Sequence, residues 1–224
     1  MKAKVADIFF SLQGEGLYAG TPQVFVRFYG CKQACRFCDT RLNAYDKYTP
    51  LELYDRVKRF KVPYHSLCLT GGEPLQQHDF LKEFLRLVKY DGIATYLETN
   101  GILADELAHI IEDIDIVAMD FKLPSSTGSL EYWQEHQKFL KIALKKEVFV
   151  KVVICQTTER IDLEKALKVI LKLRAKKVPL ILQPNFFELN KDLLAKVRLW
   201  EKYCSRYLSC VKVIPQLHKM TGAK

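Results

Sequence analysis

The sequence lacks any apolar run approaching the roughly 20 residues that an α-helix needs to cross a bilayer. The first 16 residues also include Asp7 and Glu15, where a secretory signal peptide needs an uninterrupted apolar stretch. Both absences argue against export and against a membrane anchor. They predict a cytoplasmic protein without a membrane partner.

The sequence also lacks linkers, low-complexity tracts and repeats of closely similar sequence. Its 224 residues are 49% apolar, which is enough to fill one core of ordinary size, and no compositional bias indicates disorder. We therefore expect a single domain over residues 1–224.

The formal net charge of +9 raises the question of a nucleic-acid partner, because a clustered basic face attracts phosphates. Many of the lysines, however, fall on or beside one predicted helix whose other positions are Leu, Ile and Val, which is typical of a solvated face. These are Lys165, Lys168, Lys172, Lys176 and Lys177. We expect no nucleic-acid partner, although a basic surface would also attract an anionic substrate or an acidic electron donor.

Short apolar runs alternate with helical patterns along the chain. Six strands are predicted at residues 23–29, 66–70, 94–98, 114–120, 148–154 and 179–183. Six helices are predicted: one opening at a capping box at Thr49 to Glu52, then 80–89, 105–112, 130–144, 162–176 and 191–207. This order implies a parallel α/β sheet. Six βα units are too few for a closed eight-stranded barrel, so we expect a partial, open TIM-like barrel with its chemistry at the carboxyl ends of the strands.

Three of the seven cysteines follow the first βα strand in a C-x3-C-x2-C pattern, at Cys31, Cys35 and Cys38. Such short spacings suit metal ligands better than disulfides. Three thiolates can bind three irons of a [4Fe–4S] cluster and leave the fourth iron open. The amino and carboxylate groups of S-adenosylmethionine (SAM) can chelate that iron, and electron transfer would then yield methionine and a 5′-deoxyadenosyl radical.

A structural zinc site is the main alternative for these cysteines. Closed structural zinc needs four ligands, and the nearest further candidates, His65 and Cys68, are separated from the motif by a whole helical unit. The remaining cysteines, Cys68, Cys155, Cys204 and Cys210, lie in apolar surroundings and are expected to be packing residues.

A second motif, Gly71-Gly72-Glu73-Pro74, follows the second predicted strand. Two glycines allow a ligand to approach the backbone, and the Glu73 carboxylate can accept hydrogen bonds from an ammonium or a hydroxyl. In this position the motif resembles the methionine-binding glycine motif of radical SAM enzymes. The same resemblance makes Glu98 and Asn100 candidate SAM-side contacts, although Asn-Gly is also an ordinary turn signal.

The combination of motifs resembles the 7-carboxy-7-deazaguanine synthase family over essentially the whole chain. The segments that carry the resemblance are Phe10-Ser11-Leu12-Gln13-Gly14-Glu15-Gly16, Phe25-Val26-Arg27-Phe28 leading to Gly30-Cys31, Cys38-Asp39-Thr40, Thr70 to Pro74, Gln183-Pro184 and Pro215-Gln216-Leu217-His218-Lys219. This family converts 6-carboxy-5,6,7,8-tetrahydropterin into 7-carboxy-7-deazaguanine with loss of ammonia, on the route to queuosine. The resemblance implies a lyase that uses a [4Fe–4S] cluster, SAM and Mg²⁺. It also implies a homodimer and an electron donor such as flavodoxin.

The resemblance implies that substrate is bound by Leu12, Gln13, Gly14, Glu15, Arg27 and Thr70. Glu15 would pair with the amino-pyrimidine edge. A buried substrate carboxylate needs a cation, and Arg27, at alternating spacing in an otherwise apolar strand, is the best-placed one. The alternative for Arg27 is a strand arginine that points outward into water.

The SAM-side residues that the resemblance implies are Phe37, Cys38, Asp39, Gly72, Glu73, Asp120, Phe121, Lys122, Gln183, Pro184, Asn185 and Phe186, with Thr40 as the Mg²⁺ ligand. Two segments depart from the family pattern. Asp120-Phe121-Lys122 stands where the family often has Ser-Pro-Lys, and the retained Lys122 is a candidate for binding the SAM carboxylate or ribose. Asn185 and Phe186 do not match the common residues, so contacts at these two positions are better assigned to backbone. No side chain is assignable as a protein acid or base.

Two other functions remain as alternatives. A glycyl-radical activating enzyme shares the cluster spacing and the Gly-Gly-Glu-Pro signal, but residues 11–16, Arg27 and residues 215–219 favour the synthase. A basic RNA-binding protein with a structural metal would need aromatic and basic side chains interleaved on an exposed face.

Overall fold

The computed structural model describes residues 1–38 and 42–222 and contains a nine-stranded sheet. The strands are β1 Ala3–Leu12, β2 Pro22–Phe28, β3 Asp46–Tyr48, β4 Ser66–Gly71, β5 Thr95–Thr99, β6 Ile116–Asp120, β7 Glu147–Ile154, β8 Leu180–Pro184 and β9 Val211–Val213. Their order in the sheet is β3-β1-β2-β4-β5-β6-β7-β8-β9. From β2 to β9 every neighbouring pair is parallel, whereas β1 pairs antiparallel with β2 and β3.

The helices are α1 Pro50–Lys58, α2 His78–Tyr90, α3 Ala104–Ile110, α4 Pro124–Thr127, α5 Trp133–Ala143, α6 Arg160–Lys172, α7 Lys191–Cys204 and α8 Leu217–Thr221. All six predicted strands are present in βα order, and the sheet is open at β3 and β9. The prediction of a partial, open TIM-like barrel is therefore confirmed. Helix α6 ends at Lys172, four residues before its predicted end, so Lys176 and Lys177 lie beyond it.

Helix α1 begins at the predicted capping box. The backbone N–H of Glu52 donates to Oγ1 of Thr49 (3.3 Å), and the backbone N–H of Thr49 donates to Oε2 of Glu52 (2.7 Å). These reciprocal bonds satisfy donors that the first turn would otherwise leave unpaired. The helix then buries Leu53 and Val57 against the outer face of the sheet.

Side chains of the parallel strands alternate between two environments because successive residues of a strand point to opposite faces. In β7, Val148, Val150 and Val152 belong to the core between sheet and helices, whereas Phe149 and Lys151 face the concave side. The concave side has its own apolar layer, made by Phe9, Phe25, Cys68, Tyr96, Ile116, Ala118, Phe149 and Ile181. A charged residue inside an apolar strand is thereby directed into the barrel interior.

Strand β1 was not among the predicted strands. It adds an antiparallel edge to the barrel, and its Phe9 ring stacks on Phe25 of β2 with centroids 5.0 Å apart. The loop that follows β1 carries residues 13–16 onto the concave side. Within the described residues, no helix has the length and apolarity required to cross a bilayer.

Candidate active site

The concave side of the sheet holds a cavity of about 910 Å³. This volume is at the upper end of the usual range for small-molecule sites. Its walls come from the cysteine loop after β2, the carboxyl ends of β4 to β8, the loop after β1 and the C-terminal helix α8. Motifs separated along the sequence therefore meet in one place.

Cys31, Cys35 and Cys38 all line this cavity, and none of the three forms a disulfide. Across the described residues, which include all seven cysteines, no other cysteine lines it. No three ligand side chains in that part of the chain surround a single metal ion. A [4Fe–4S] cluster does not require three ligands around a single ion, because each thiolate binds a different iron. Three thiols and no fourth fit a [4Fe–4S] cluster with one open iron better than a closed zinc site.

The Gly-Gly-Glu-Pro turn is packed directly against the start of the cysteine loop. The backbone N–H of Gly72 donates to the carbonyl of Phe28 (2.9 Å), and that of Glu73 donates to the carbonyl of Gly30 (2.8 Å). Gly71 has φ +119°, a conformation that side chains rarely adopt. The other end of the loop is held by a bond from the Arg36 N–H to the carbonyl of Thr127 (2.9 Å).

Glu73 is buried beneath this turn, and its side chain does not line the cavity. Its carboxylate accepts hydrogen bonds from the backbone N–H of Asn100 (2.8 Å) and of Leu75 (3.2 Å) and from Oγ1 of Thr99 (2.9 Å). Burial raises the pKa of Glu73 to about 7 despite these bonds. Glu73 thus joins the turn to the end of β5.

A polar group near the middle of the cavity is centred on Glu98. One carboxylate oxygen accepts a hydrogen bond from the Gln13 amide (2.8 Å) and the other from the Thr70 hydroxyl (2.5 Å). The Gln13 amide also donates to Oε1 of Gln23 (2.9 Å), and its own Oε1 accepts from the backbone N–H of Glu15 (3.1 Å). Glu98 therefore sets the conformation of two predicted substrate-binding residues.

Arg27 lies in the cavity, half-buried, with its guanidinium carbon 4.9 Å from the centroid of the Phe9 ring. Its strand position directs it inward, so the alternative of an arginine pointing into solvent does not apply. Leu12 and Gly14 also line the cavity. A cation against an aromatic face and next to apolar walls is suited to binding a carboxylate.

Four charged side chains form a series along the cavity wall, which we call the charge chain: Glu15, Lys151, Asp120 and Lys122. Lys151 pairs with Glu15 and lies 3.3 Å from Oδ2 of Asp120, and Lys122 lies 2.9 Å from the same oxygen. Burial opposes ionisation of Glu15, but the attraction of Lys151 outweighs it and lowers the pKa of Glu15 to about 2. Glu15 is thus held as a carboxylate.

The C-terminal segment closes the side of the cavity next to the loop after β1. The Gln216 amide donates to Oε1 of Glu15 (2.7 Å), and the backbone N–H of Leu217 donates to the carbonyl of Gly14 (2.8 Å). His218 packs so closely on Gly14 that a Cβ there would lie 2.2 Å from its Nδ1. Gly14 is required by this close approach.

Among the residues predicted to contact SAM, Phe37 lines the cavity and its ring centroid lies 5.4 Å from Nζ of Lys122. Phe121 is buried in the core and stacks on the His136 ring, with centroids 4.6 Å apart. Nε2 of His136 lies 3.2 Å from the carbonyl oxygen of Asn100. Burial lowers the pKa of His136 to about 4, so the ring is neutral.

Of the remaining predicted site residues, some line the cavity, some do not, and some lie outside the described residues. Gln183 and Asn185 line the cavity, whereas Pro184 and Phe186 do not. The amide of Asn185 donates to Oε1 of Glu188 (3.2 Å). Asp39 and the predicted Mg²⁺ ligand Thr40 lie outside the described residues.

Comparison with known proteins agrees with this arrangement. The profile of the Radical SAM superfamily matches residues 25–192. The 7-carboxy-7-deazaguanine synthase of Geobacter sulfurreducens is 34% identical over 247 aligned residues, covering 98% of this chain and 97% of the relative. The chain belongs to the 7-carboxy-7-deazaguanine synthase family. The family member from Clostridium acetobutylicum is likewise 34% identical, with 98% and 96% of the two chains covered.

Solved structures show the same fold. QueE from Escherichia coli is 20% identical, with a TM-score of 0.66 over 95% of this chain and 93% of that one. Archaeal TYW1 is 17% identical, with a TM-score of 0.57 over 84% and 72%.

Family membership confirms the prediction of a radical SAM lyase that uses a [4Fe–4S] cluster and SAM. It does not favour the activating-enzyme alternative or the RNA-binding one.

Two residues were missed in the sequence: Lys151, which lines the cavity, and His136, which is buried and does not line it. Lys151 is a lone cation in an apolar strand, the same signal that identified Arg27, so the alternation could have revealed it. His136 lies on an amphipathic helix, where the sequence offers no signal that separates it from an ordinary helix residue.

Proposed function

We propose that this chain converts 6-carboxy-5,6,7,8-tetrahydropterin into 7-carboxy-7-deazaguanine with loss of ammonia. The observation that supports it is a single cavity with three cysteine thiols at one side and Arg27, Gln13 and the ionised Glu15 at another. A pterin carboxylate and an amino-pyrimidine edge need a cation and an anion of this kind. Membership of the synthase family supports the same reaction.

Cys31, Cys35 and Cys38 would hold the [4Fe–4S] cluster. The bound cluster and SAM together supply one-electron chemistry that generates a radical. The backbone at Gly72 and the side chains of Lys122 and Asp120 line the part of the cavity next to the cysteine loop, where they would orient SAM. The contribution of the protein is to hold the reacting atoms together and to exclude water.

The substrate would bind between the loop after β1 and strands β2 and β4. Arg27 binds its carboxylate, because a buried carboxylate requires a cation with donors. Glu15 accepts hydrogen bonds from the amino-pyrimidine edge, for which it must be ionised. Gln13 and Thr70, both held by Glu98, complete this wall. No protein general acid or base is assigned.

Several further features belong to the same proposal. Mg²⁺ bound at Thr40 rests on the family resemblance and on the preference of this ion for few protein ligands. A homodimer and a flavodoxin-like electron donor also rest on that resemblance, and exposed lysines such as Lys168 and Lys172 would suit an acidic donor. The seven cysteines, all within the described residues and none in a disulfide, support a cytoplasmic location. A sheet that joins Ala3 to Val213 supports one domain over residues 1–224.

An anaerobic assay tests the function. The cluster-reconstituted protein is supplied with SAM, Mg²⁺, dithionite and 6-carboxytetrahydropterin, and 7-carboxy-7-deazaguanine and 5′-deoxyadenosine are both quantified by mass spectrometry. Product in excess over the SAM consumed is expected. Formation of 5′-deoxyadenosine without that product would reject the substrate and leave the cluster assignment standing.

A further inference from the structure

Lys151 is the one cation in β7, a strand whose other residues after Glu147 are apolar. Only 16% of its side chain is exposed. Burial of an ammonium is costly unless opposite charges compensate it, and two carboxylates do so here. None of the residue roles proposed for the reaction involves Lys151.

The two carboxylates come from opposite halves of the site. Glu15 lies in the loop after β1, on the substrate side, and Asp120 ends β6, on the SAM side. Asp120 shares its Oδ2 with Lys122, whose Nζ lies 2.9 Å away and near the Phe37 ring of the cysteine loop. The charge chain thus runs from the substrate wall to the cysteine loop, with Lys151 as the link.

The backbone of Lys151 is held by the sheet on both sides. Its strand position pairs with Asp120 on one neighbouring strand and with Ile181 on the other, and its carbonyl accepts a hydrogen bond from the Phe121 N–H (2.8 Å). A donor anchored on paired strands and placed between two carboxylates can fix the direction of both.

We propose that Lys151 is a positioning residue that fixes Glu15 relative to Asp120 and Lys122, so that substrate binding and SAM cleavage remain coupled. This inference rests on the proposed function. It assigns Lys151 an effect on substrate through Glu15, without direct contact between Lys151 and the reacting atoms.

Removal of the Lys151 charge has different consequences at the two ends of the charge chain. The other hydrogen-bond partners of Glu15, the Gln216 and Gln183 amides, are neutral, and burial would then favour its protonated form. A protonated carboxyl loses acceptor capacity toward an amino-pyrimidine edge. Asp120 would still have Lys122 at 2.9 Å, so the SAM side is expected to persist.

The test compares Lys151→Met, Lys151→Arg and the control Lys82→Met, an exposed lysine on α2 outside the cavity, in the reconstituted holoenzyme. Lys151→Met is expected to raise the KM for 6-carboxytetrahydropterin roughly ten-fold or more. It should also lower the yield of product per 5′-deoxyadenosine, while iron content and the KM for SAM stay within about two-fold of wild type. Lys151→Arg should restore part of the coupling, and Lys82→Met should behave as wild type. Unchanged coupling in Lys151→Met, or a parallel loss of iron and SAM affinity, would overturn the proposal.

A second set of variants keeps the test decisive if Lys151→Met folds poorly. The double variant Glu15→Gln/Lys151→Met leaves no uncompensated carboxylate, and because Lys151 acts through Glu15, its substrate KM should equal that of Glu15→Gln alone. Additive effects would reject the proposal. The assay of the wild-type protein distinguishes a failure of the proposed function from a failure of the role proposed for Lys151. Absence of product from wild type would reject the proposed function, whereas normal coupling in Lys151→Met would reject only the role of Lys151.

Discussion

A Cβ atom at Gly72 would lie 2.0 Å from the carbonyl oxygen of Gly30. That oxygen is backbone and also accepts the Glu73 N–H at 2.8 Å, so it cannot move without displacing the cysteine loop. We expect Gly72→Ala to separate the turn from the loop. Iron retained after reconstitution and the rate of 5′-deoxyadenosine formation should both fall by at least about ten-fold, as measured by iron analysis and anaerobic SAM cleavage.

Gly92→Ala is a matched control for this change. Gly92 has φ +68°, so alanine there costs backbone strain, but no atom lies within 4 Å of the added Cβ. The control should lose about 1 kcal/mol of stability and no cluster. Full iron content and normal SAM cleavage in Gly72→Ala would show that the close approach of the Gly30 carbonyl is not the reason why position 72 is glycine.

The three cavity thiols should be individually indispensable for SAM cleavage. Replacement of Cys31, Cys35 or Cys38 by alanine removes one of three iron ligands, and we expect no detectable 5′-deoxyadenosine from any of the three variants. Cys210→Ala is the control because Cys210 is half-buried and remote from the cavity. A variant of the motif that cleaves SAM at the wild-type rate would remove that cysteine from the ligand set.

The six βα units could be predicted because each strand is a short run of apolar residues between turns and helical patterns. Strand β1 could not be predicted, because a register shift between Val5 and Asp7 interrupts its period-two alternation. The three-residue strands β3 and β9 are too short to show any period.

The site residues likewise divide into those that a local sequence signal predicts and those that no local signal predicts. Arg27 and the cysteines carry local signals, a charge in an apolar strand and a ligand spacing. The pairing of Glu15 with Lys151 joins positions 136 residues apart, and the contact of Gln216 with Glu15 joins positions 201 apart. Such pairings depend on how the sheet curves and on where α8 docks. Neither is encoded in a local pattern.

Arg27 should control substrate turnover and leave SAM cleavage intact. Arg27→Ala removes the cation proposed to bind the substrate carboxylate, a loss of about 2 kcal/mol or roughly 30-fold in kcat/KM for the pterin. Slow uncoupled 5′-deoxyadenosine formation should continue, because the three thiols are unaffected. Both products can be measured in one anaerobic assay.

Arg86→Ala provides the comparison, since Arg86 is exposed on α2 and outside the cavity. It should keep wild-type turnover. Normal product formation by Arg27→Ala would remove Arg27 from the substrate site.

His136 should make the stability of the fold depend on pH. Burial lowers its pKa from 6.5 to about 4. The unfolded chain therefore binds a proton at His136 below about pH 6.5, whereas the folded chain binds it only below about pH 4. The stability that neutral His136 contributes is present above pH 6.5 and is lost as the pH falls. Between pH 7.5 and 5.5 the contribution of His136 to the free energy of unfolding should decrease by about 1 kcal/mol. Anaerobic urea unfolding at both values measures it.

His136→Gln isolates this effect because glutamine can still donate to the Asn100 carbonyl but does not titrate. Glu73 titrates in the opposite sense. Its pKa, raised by burial to about 7, lets the folded chain keep a proton that the unfolded chain releases, so its contribution is lost as the pH rises. Glu73 is present in both proteins, and its contribution cancels in the difference between wild type and His136→Gln. That difference in the free energy of unfolding should become less favourable to wild type as the pH falls from 7.5 to 5.5. A difference that does not vary with pH would mean that His136 is protonated in the fold, and its stacking on Phe121 would then have to tolerate a charge.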